Sequence, residues 1–155
     1  MGLDMYLYGN QFIGANFDHR EVKAKCDIWI GKRQLAIDTS KLSEMVFHLA
    51  YWRKASHIHN WFVVNCQSGK DDCGKYYVSA EQLEELSGLC QAILDKKEAN
   101  GQWRKLAEEL MPVQGFFFGT GELDDWYFHN LQETIDQFKT IPVDGTYDFY
   151  YQSSW

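Results

Sequence analysis

The chain opens on an alternation. In GLDMYLYG (2–9), Leu3, Met5 and Leu7 fall on one side and Asp4, Tyr6 and Tyr8 on the other, the period of a strand with one buried face. The far end repeats it: Tyr147, Phe149 and Tyr151 alternate with Asp148, Tyr150 and Gln152, which predicts a strand over Tyr147–Gln152. Pairing between these two strands would tie down both ends of the chain. Residues 10–41 are less regular and offer two short strands, Cys26–Ile30 and Gln34–Ile37, with Gly31-Lys32-Arg33 as a hairpin loop. Residues 44–50, EMVFHLA, fit either a strand or the start of a helix.

Helical spacing takes over afterwards. Between Arg53 and Gln67, Ala55, Ile58, Trp61, Phe62 and Cys66 recur at helical intervals, and Ser68-Gly69 supplies a stop. Over 80–96, Leu83, Leu86, Cys90, Ile93 and Leu94 form one apolar stripe. Ser79 and Gln82 match a capping box at its start. A shorter helix, 102–110, stops before Pro112, and a further one, 123–139, buries Tyr127, Leu131, Ile135 and Phe138. Between them, Gly115-Phe116-Phe117-Phe118-Gly119 reads as an apolar strand or a buried turn. Strands at both termini and early in the chain, with helices gathered from the middle onward, predict a single α+β domain over 1–155. Its mainly antiparallel sheet would include the N- and C-terminal strands and be covered on one face by three to four helices.

Composition sharpens this picture at a few points. Aromatic residues make up 16% of the 155 positions; a core built of rings accounts for most of them, and any that remain at the surface suit a contact patch, where tyrosine and tryptophan are favoured. A net charge of −7 argues against binding a nucleic-acid duplex, whose affinity comes from neutralised phosphates. No apolar run approaches a bilayer-spanning length, and the N-terminus lacks the basic and apolar regions of a signal peptide. A cytoplasmic protein with reduced cysteines and no membrane partner is therefore expected.

The densest chemistry lies in YWRKASHIHNWF (51–62). His57 and His59, with Cys66 and Cys73 downstream, are zinc-ligand types. Two apart on a helix, however, the histidines point away from each other, so no metal and no cofactor is expected. Cys66 and Cys90 lie on apolar stripes and read as inert core thiols. A thiolate at Cys73 would be disfavoured by Asp71 and Asp72 beside it. No catalytic or phosphate-loop motif appears. A helical projection of 53–67 places Arg53, His57, Asn60 and Val64 on one flank with Trp61 at its edge. An amphipathic helix normally shows such a flank to solvent, but a forked cation, an imidazole, an amide and a ring can also recognise an anion or a nucleotide. Arg53, Lys54, His57, Asn60 and Trp61 are thus the candidate binding residues. Asp4, in a strand otherwise apolar or tyrosine, needs a partner if buried, and Arg53 is the expected one, as a structural ion pair.

MGLDMYLY, YWRKASHIHNWFV, DDCGKYYVSAEQLEEL, GFFFG and the terminal FYYQSSW together resemble a family of small uncharacterised bacteriophage and prophage proteins. The resemblance spans nearly the whole chain and is weakest over 10–40. It carries over no catalytic residue, and it marks Arg53, Lys54, His57, Trp61, Cys73 and Ser153-Ser154-Trp155 as motif positions. It implies an accessory protein of the infected bacterial cytoplasm that binds without catalysis, blocking a host defence or redirecting a host enzyme. A host protein is the expected partner. A small nucleotide ligand, as in a sponge for a nucleotide signal, a second copy of the chain, and a small enzyme of unrecognised type stay open.

Overall fold

A computed structural model describes residues 2–14, 17, 19, 27–99, 101–116, 118 and 121–155. Four strands build the main sheet: β1 (Asp4–Phe12), β4 (Glu44–Arg53), β5 (Lys75–Val78) and β6 (Asp148–Ser154). Their order is β4-β1-β6-β5, and every neighbouring pair is antiparallel. The two chain ends are therefore central neighbours, with Met5 opposite Ser153 and Leu7 opposite Tyr151. A separate hairpin joins β2 (Ile28–Ile30) to β3 (Arg33–Leu35). Its turn is two residues rather than three, because Gly31 at φ +60° supplies the left-handed conformation that a two-residue hairpin needs. Of the first predicted hairpin strand, Cys26 lies outside the described residues.

The helices are α1 (Ser56–Asn65), α2 (Ala80–Glu98), α3 (Trp103–Ala107), which runs into a 3-10 turn at Glu108–Leu110, and α4 (Asp125–Phe138). The architecture is the expected α+β one. Period-two burial aims Met5, Leu7, Ala50, Trp52, Val78, Phe149 and Tyr151 at the helices, where they meet Ile58, Phe62, Leu86, Ile93, Leu131 and Ile135 in one core. Capping follows local chemistry. Ser79 accepts from the Gln82 amide at 3.2 Å while the Gln82 side chain accepts from the Ser79 amide at 2.9 Å, and Asp124 caps α4 by accepting from the Tyr127 amide at 3.0 Å.

The boundary between strand and helix in the middle of the chain departs from expectation. Residues 44–53 are strand throughout, so Arg53 ends β4 and does not begin a helix. A bulge hides the alternation: Leu7 pairs with Ala50 but Tyr8 with His48, leaving Leu49 as the extra residue. Gly9 makes room for it, since a Cβ there would lie 2.6 Å from Leu49 Cδ1. Lys54 then turns the chain at φ +56° while its amide donates to the Leu3 carbonyl at 2.8 Å. Residues around GFFFG form a turn closed by the Phe118 amide on the Gly115 carbonyl at 3.1 Å. Phe116 is exposed there, Phe118 packs against the core, and Phe117 and Gly119 lie outside the described residues.

β4 is an edge strand, and α4 covers part of its open edge. Gln137 accepts from the Tyr51 amide at 2.7 Å and donates to the Tyr51 carbonyl at 3.0 Å, answering backbone groups that would otherwise face a new strand. Below it, Trp52 Nε1 donates to Thr134 Oγ1 at 2.9 Å. The caps are testable independently of function. Ser79→Ala removes the α2 capping box and should cost about 1 kcal/mol, lowering the thermal midpoint by roughly 2–4 °C; an unchanged midpoint in calorimetry would show that the box contributes nothing.

Candidate functional site

α1 is flanked on nearly every side. Seven of its 10 residues are buried, Ser56, His57 and His59 among them. Only Val64 and Asn65 of the helix are exposed, and the projected face of Arg53, His57, Asn60 and Val64 does not exist as one surface. Arg53 belongs to β4, Lys54 to the turn, and the helix begins only at Ser56. Asn60 is half-buried and Trp61 buried, while Lys54 and Val64 are exposed. His57 is only 3% exposed, which corrects the expectation that it projects into solvent.

The Asp4–Arg53 pair forms, but at the surface. The two residues are register partners on adjacent strands, with Arg53 Nε 4.0 Å from Asp4 Oδ1 and side chains 62% and 31% exposed. Asp4 also accepts from the Tyr51 hydroxyl. Such a pair is screened by water and is worth roughly 0–1 kcal/mol, not the several kcal/mol of a buried one.

The two histidines leave α1 in different directions, as their spacing predicts. His59 reaches β6 and the loop after α1: Nδ1 lies 2.7 Å from the Tyr151 hydroxyl and Nε2 lies 3.1 Å from Asp71 Oδ2. Asp71 Oδ1 in turn accepts from Trp155 Nε1 at 3.1 Å. The Tyr–His–Asp order resembles a proton relay, yet Tyr151 is fully buried and burial holds its phenol well above the ordinary range. No substrate reaches that hydroxyl, and the chain of bonds reads as a tether that fixes the 71–74 loop and the C-terminal tryptophan. Cys66 and Cys90 are pushed up to about 12 by burial, in keeping with inert thiols.

His57 faces a cavity. Its ring lies 4.4 Å from that of Tyr127, and the two residues line a pocket of about 250 Å³ with Lys54, Ser56, Pro112, Glu122, Asp124, Trp126 and Asn130. The pocket sits where the N-terminal ends of α1 and α4 converge. α4 is capped by Asp124, whereas α1 follows Ala55 and has no side-chain cap. Three of these residues carry polar atoms that are buried without a hydrogen-bond partner among the described residues: His57 Nε2, the Tyr127 hydroxyl and both polar atoms of the Asn130 amide. These make up four of the six such atoms found. Leaving a buried polar group unpaired costs about 1–3 kcal/mol, and most native ones are paired. Their concentration around one cavity marks it as the candidate site. Burial lowers the His57 pKa to about 3, against a small opposing pull from Asp124, so the imidazole is neutral at pH 7.

Sequence reading found Lys54 and His57 but missed Ser56, Glu122, Asp124 and Asn130, and it took Tyr127 as plain core. A signal was available. Asn130 and Thr134 fall at i+3 and i+7 from Tyr127 on the buried stripe of α4, and an amide at a core position needs a partner or a purpose.

Two measurements test these placements. Arg53→Ala should reduce stability by about 1 kcal/mol or less in denaturant unfolding; a loss of 3 kcal/mol or more would restore the buried-pair reading. For His57, the unfolded chain titrates near 6.5 and the folded one near 3. Between these values the unfolded chain binds the extra proton, so stability is complete above pH 6.5 and falls as pH drops toward 3. The loss should approach about 1.4 kcal/mol per pH unit, and the difference between wild-type and His57→Gln profiles isolates it. Parallel profiles would mean that His57 is not held neutral by burial. Comparison with protein-family models, with curated proteins and with solved structures finds no match to the chain, so its function is read from geometry.

Proposed function

We propose that the protein acts by stoichiometric, non-catalytic binding to another protein, through the face of its sheet that no helix among the described residues covers. The observation that carries this reading is the composition of that face. Period two places Tyr6 and Tyr8 of β1, His48 and Tyr51 of β4, Tyr150 of β6 and Lys75 and Tyr77 of β5 on the side away from the core. The rings form a connected layer. Tyr6 meets Tyr51 at 5.4 Å, Tyr8 meets His48 at 4.7 Å, Tyr77 meets Tyr150 at 5.9 Å, and Lys75 lies 4.5 Å from the Tyr150 ring centre. Tyrosine brings large contact area and a hydroxyl at little cost in rotamer freedom, which is why it is enriched in paratopes and interface cores.

Charge favours a protein over a nucleic acid. Arg53 and Lys75 stand on this face with Asp4, Glu44 and Asp148, a mixed set on a chain of net charge −7. A polyanion would gain few phosphate contacts there. The resemblance to bacteriophage and prophage proteins supports a host protein as the partner, met in the bacterial cytoplasm, with blocking of a defence component or redirection of a host enzyme as the outcome.

Affinity capture from a bacterial lysate tests this. Wild-type protein should enrich a host protein, and Tyr51→Ala and Tyr77→Ala, at exposed ring positions, should weaken capture by about 1–3 kcal/mol each while leaving stability within about 0.5 kcal/mol. Enrichment of no protein, or capture unchanged in both variants, would remove the reading.

A further inference from the structure

The two outer strands of the main sheet are finished differently. β4 is guarded: Gln137 answers the Tyr51 backbone, and the bulge at Leu49 breaks the regular pairing of that strand, two devices that deter a further strand. β5, at the other end of the order β4-β1-β6-β5, has neither. It pairs with β6 without a break, Lys75 opposite Gln152 through to Val78 opposite Phe149. The backbone groups that β5 turns away from β6 have no hydrogen-bond partner among the described residues.

A lysine on an edge strand ordinarily guards it. Lys75 instead leans inward across β6, with Nζ 4.5 Å from the Tyr150 ring centre, 5.5 Å from that of Tyr8 and 3.4 Å from Asn10 Oδ1 on β1. No carboxylate among the described residues pairs with it, whereas Arg53 on the same face has Asp4. The strand is also held at both ends. Before it, Asp72 accepts from the Tyr76 hydroxyl at 2.8 Å and from the Gly74 amide at 3.0 Å, and Gln152 donates to the Cys73 carbonyl at 3.2 Å. After it, the α2 capping box fixes Ser79. An edge whose shape is set in advance loses little conformational freedom on pairing.

These features constrain the occupant. An extended segment added to an open edge gains main-chain hydrogen bonds, and its alternate side chains give the specificity. On a strand laid antiparallel to β5, the residues opposite Tyr77 and Lys75 are two apart, in that order, and point to the tyrosine side. A β-branched or aromatic residue opposite Tyr77, which is 57% exposed, packs on its ring, and an aspartate or glutamate opposite Lys75 supplies the missing counter-charge. A second copy fits less well. Two β5 strands paired about a two-fold axis at Tyr76 would set Lys75 against Tyr77 and not against a carboxylate, between chains that each carry −7.

We propose that β5 is a strand-addition edge for an extended segment of a protein partner, laid antiparallel, in which a β-branched or aromatic residue is followed two positions later by an aspartate or glutamate. This mode of docking rests on the tyrosine layer being a protein contact, since Lys75 and Tyr77 belong to both surfaces.

A displayed library of random dodecapeptides, selected on the purified full chain, tests the assignment. Enriched sequences should share that spacing and order. A synthetic copy of one should slow amide exchange within β5 by about tenfold or more while leaving the Tyr51 amide, already bonded to Gln137, unchanged. Lys75→Glu, at an exposed position, should bind that peptide about tenfold more weakly and select lysine or arginine where the wild type selects the acid. The proposal is overturned if no peptide is enriched, if the bound peptide leaves β5 exchange unchanged, or if Lys75→Glu selects the same acid. A chain that sediments as a dimer with β5 already protected gives the edge to a second copy and overturns it as well. Loss of lysate capture in Tyr51→Ala beside any of these failures strikes β5 alone and leaves the tyrosine layer as the contact.

Discussion

Burying a polar helix is the constraint on which this structure turns. α1 lies between the sheet and the helices, and its sequence SHIHNWFVVN carries a serine and two histidines into buried positions. Every such group must find a partner inside the protein or carry a cost. His59 answers at long range, bonded at one ring nitrogen to Tyr151 and at the other to Asp71. That solution organises much else. It holds the loop beyond α1 against the helix, and through Asp71 it holds the final tryptophan. Tyr151 meanwhile stacks on Phe62 at 4.1 Å. His57 has no comparable answer, and the contrast between neighbours on one helix separates scaffold from site.

What the sequence shows of the fold is what short-range chemistry controls. The α2 capping box and the alternation of the terminal strands are written within a few residues and appear where expected. The passage from β4 to α1 is not written locally. Leu49 becomes a bulge because Gly9, some forty positions away, leaves space beside it. Lys54 takes a left-handed conformation that its side chain does not favour, held by a bond to Leu3. Without the bulge, residues 44–53 alternate out of phase, and the helix seems to begin at Arg53.

The site was partly legible for the same reason. Arg53, Lys54 and His57 stand out by residue type, and register does bring Asp4 opposite Arg53. A helical projection assumes, however, that a helix has one buried face and one wet face. α1 is buried over most of its circumference, so projection assigns His57 to solvent when the structure puts it beside Tyr127. Asn130 and Tyr127 were hidden by the opposite assumption, that a stripe at core spacing is only core. A polar residue on an apolar stripe is the more useful signal, because close packing leaves few reasons for it.

Arg53 and Lys54 are adjacent in sequence and serve opposite sides of the sheet. Arg53 ends a strand with its side chain on the tyrosine layer, whereas Lys54 lies on the far side of the turn and lines the pocket. Between them runs a single peptide unit anchored by the Lys54 amide on Leu3 in the segment leading into β1. That bond ties the turn to the strand beside it, on the border between the two surfaces. Coupling between them would need a second arrangement of the turn, at the left-handed Lys54 and the capless start of α1. This junction thus separates two surfaces on one small fold, one broad and aromatic, the other narrow and lined by residues that include Lys54, His57, Asp124 and Asn130.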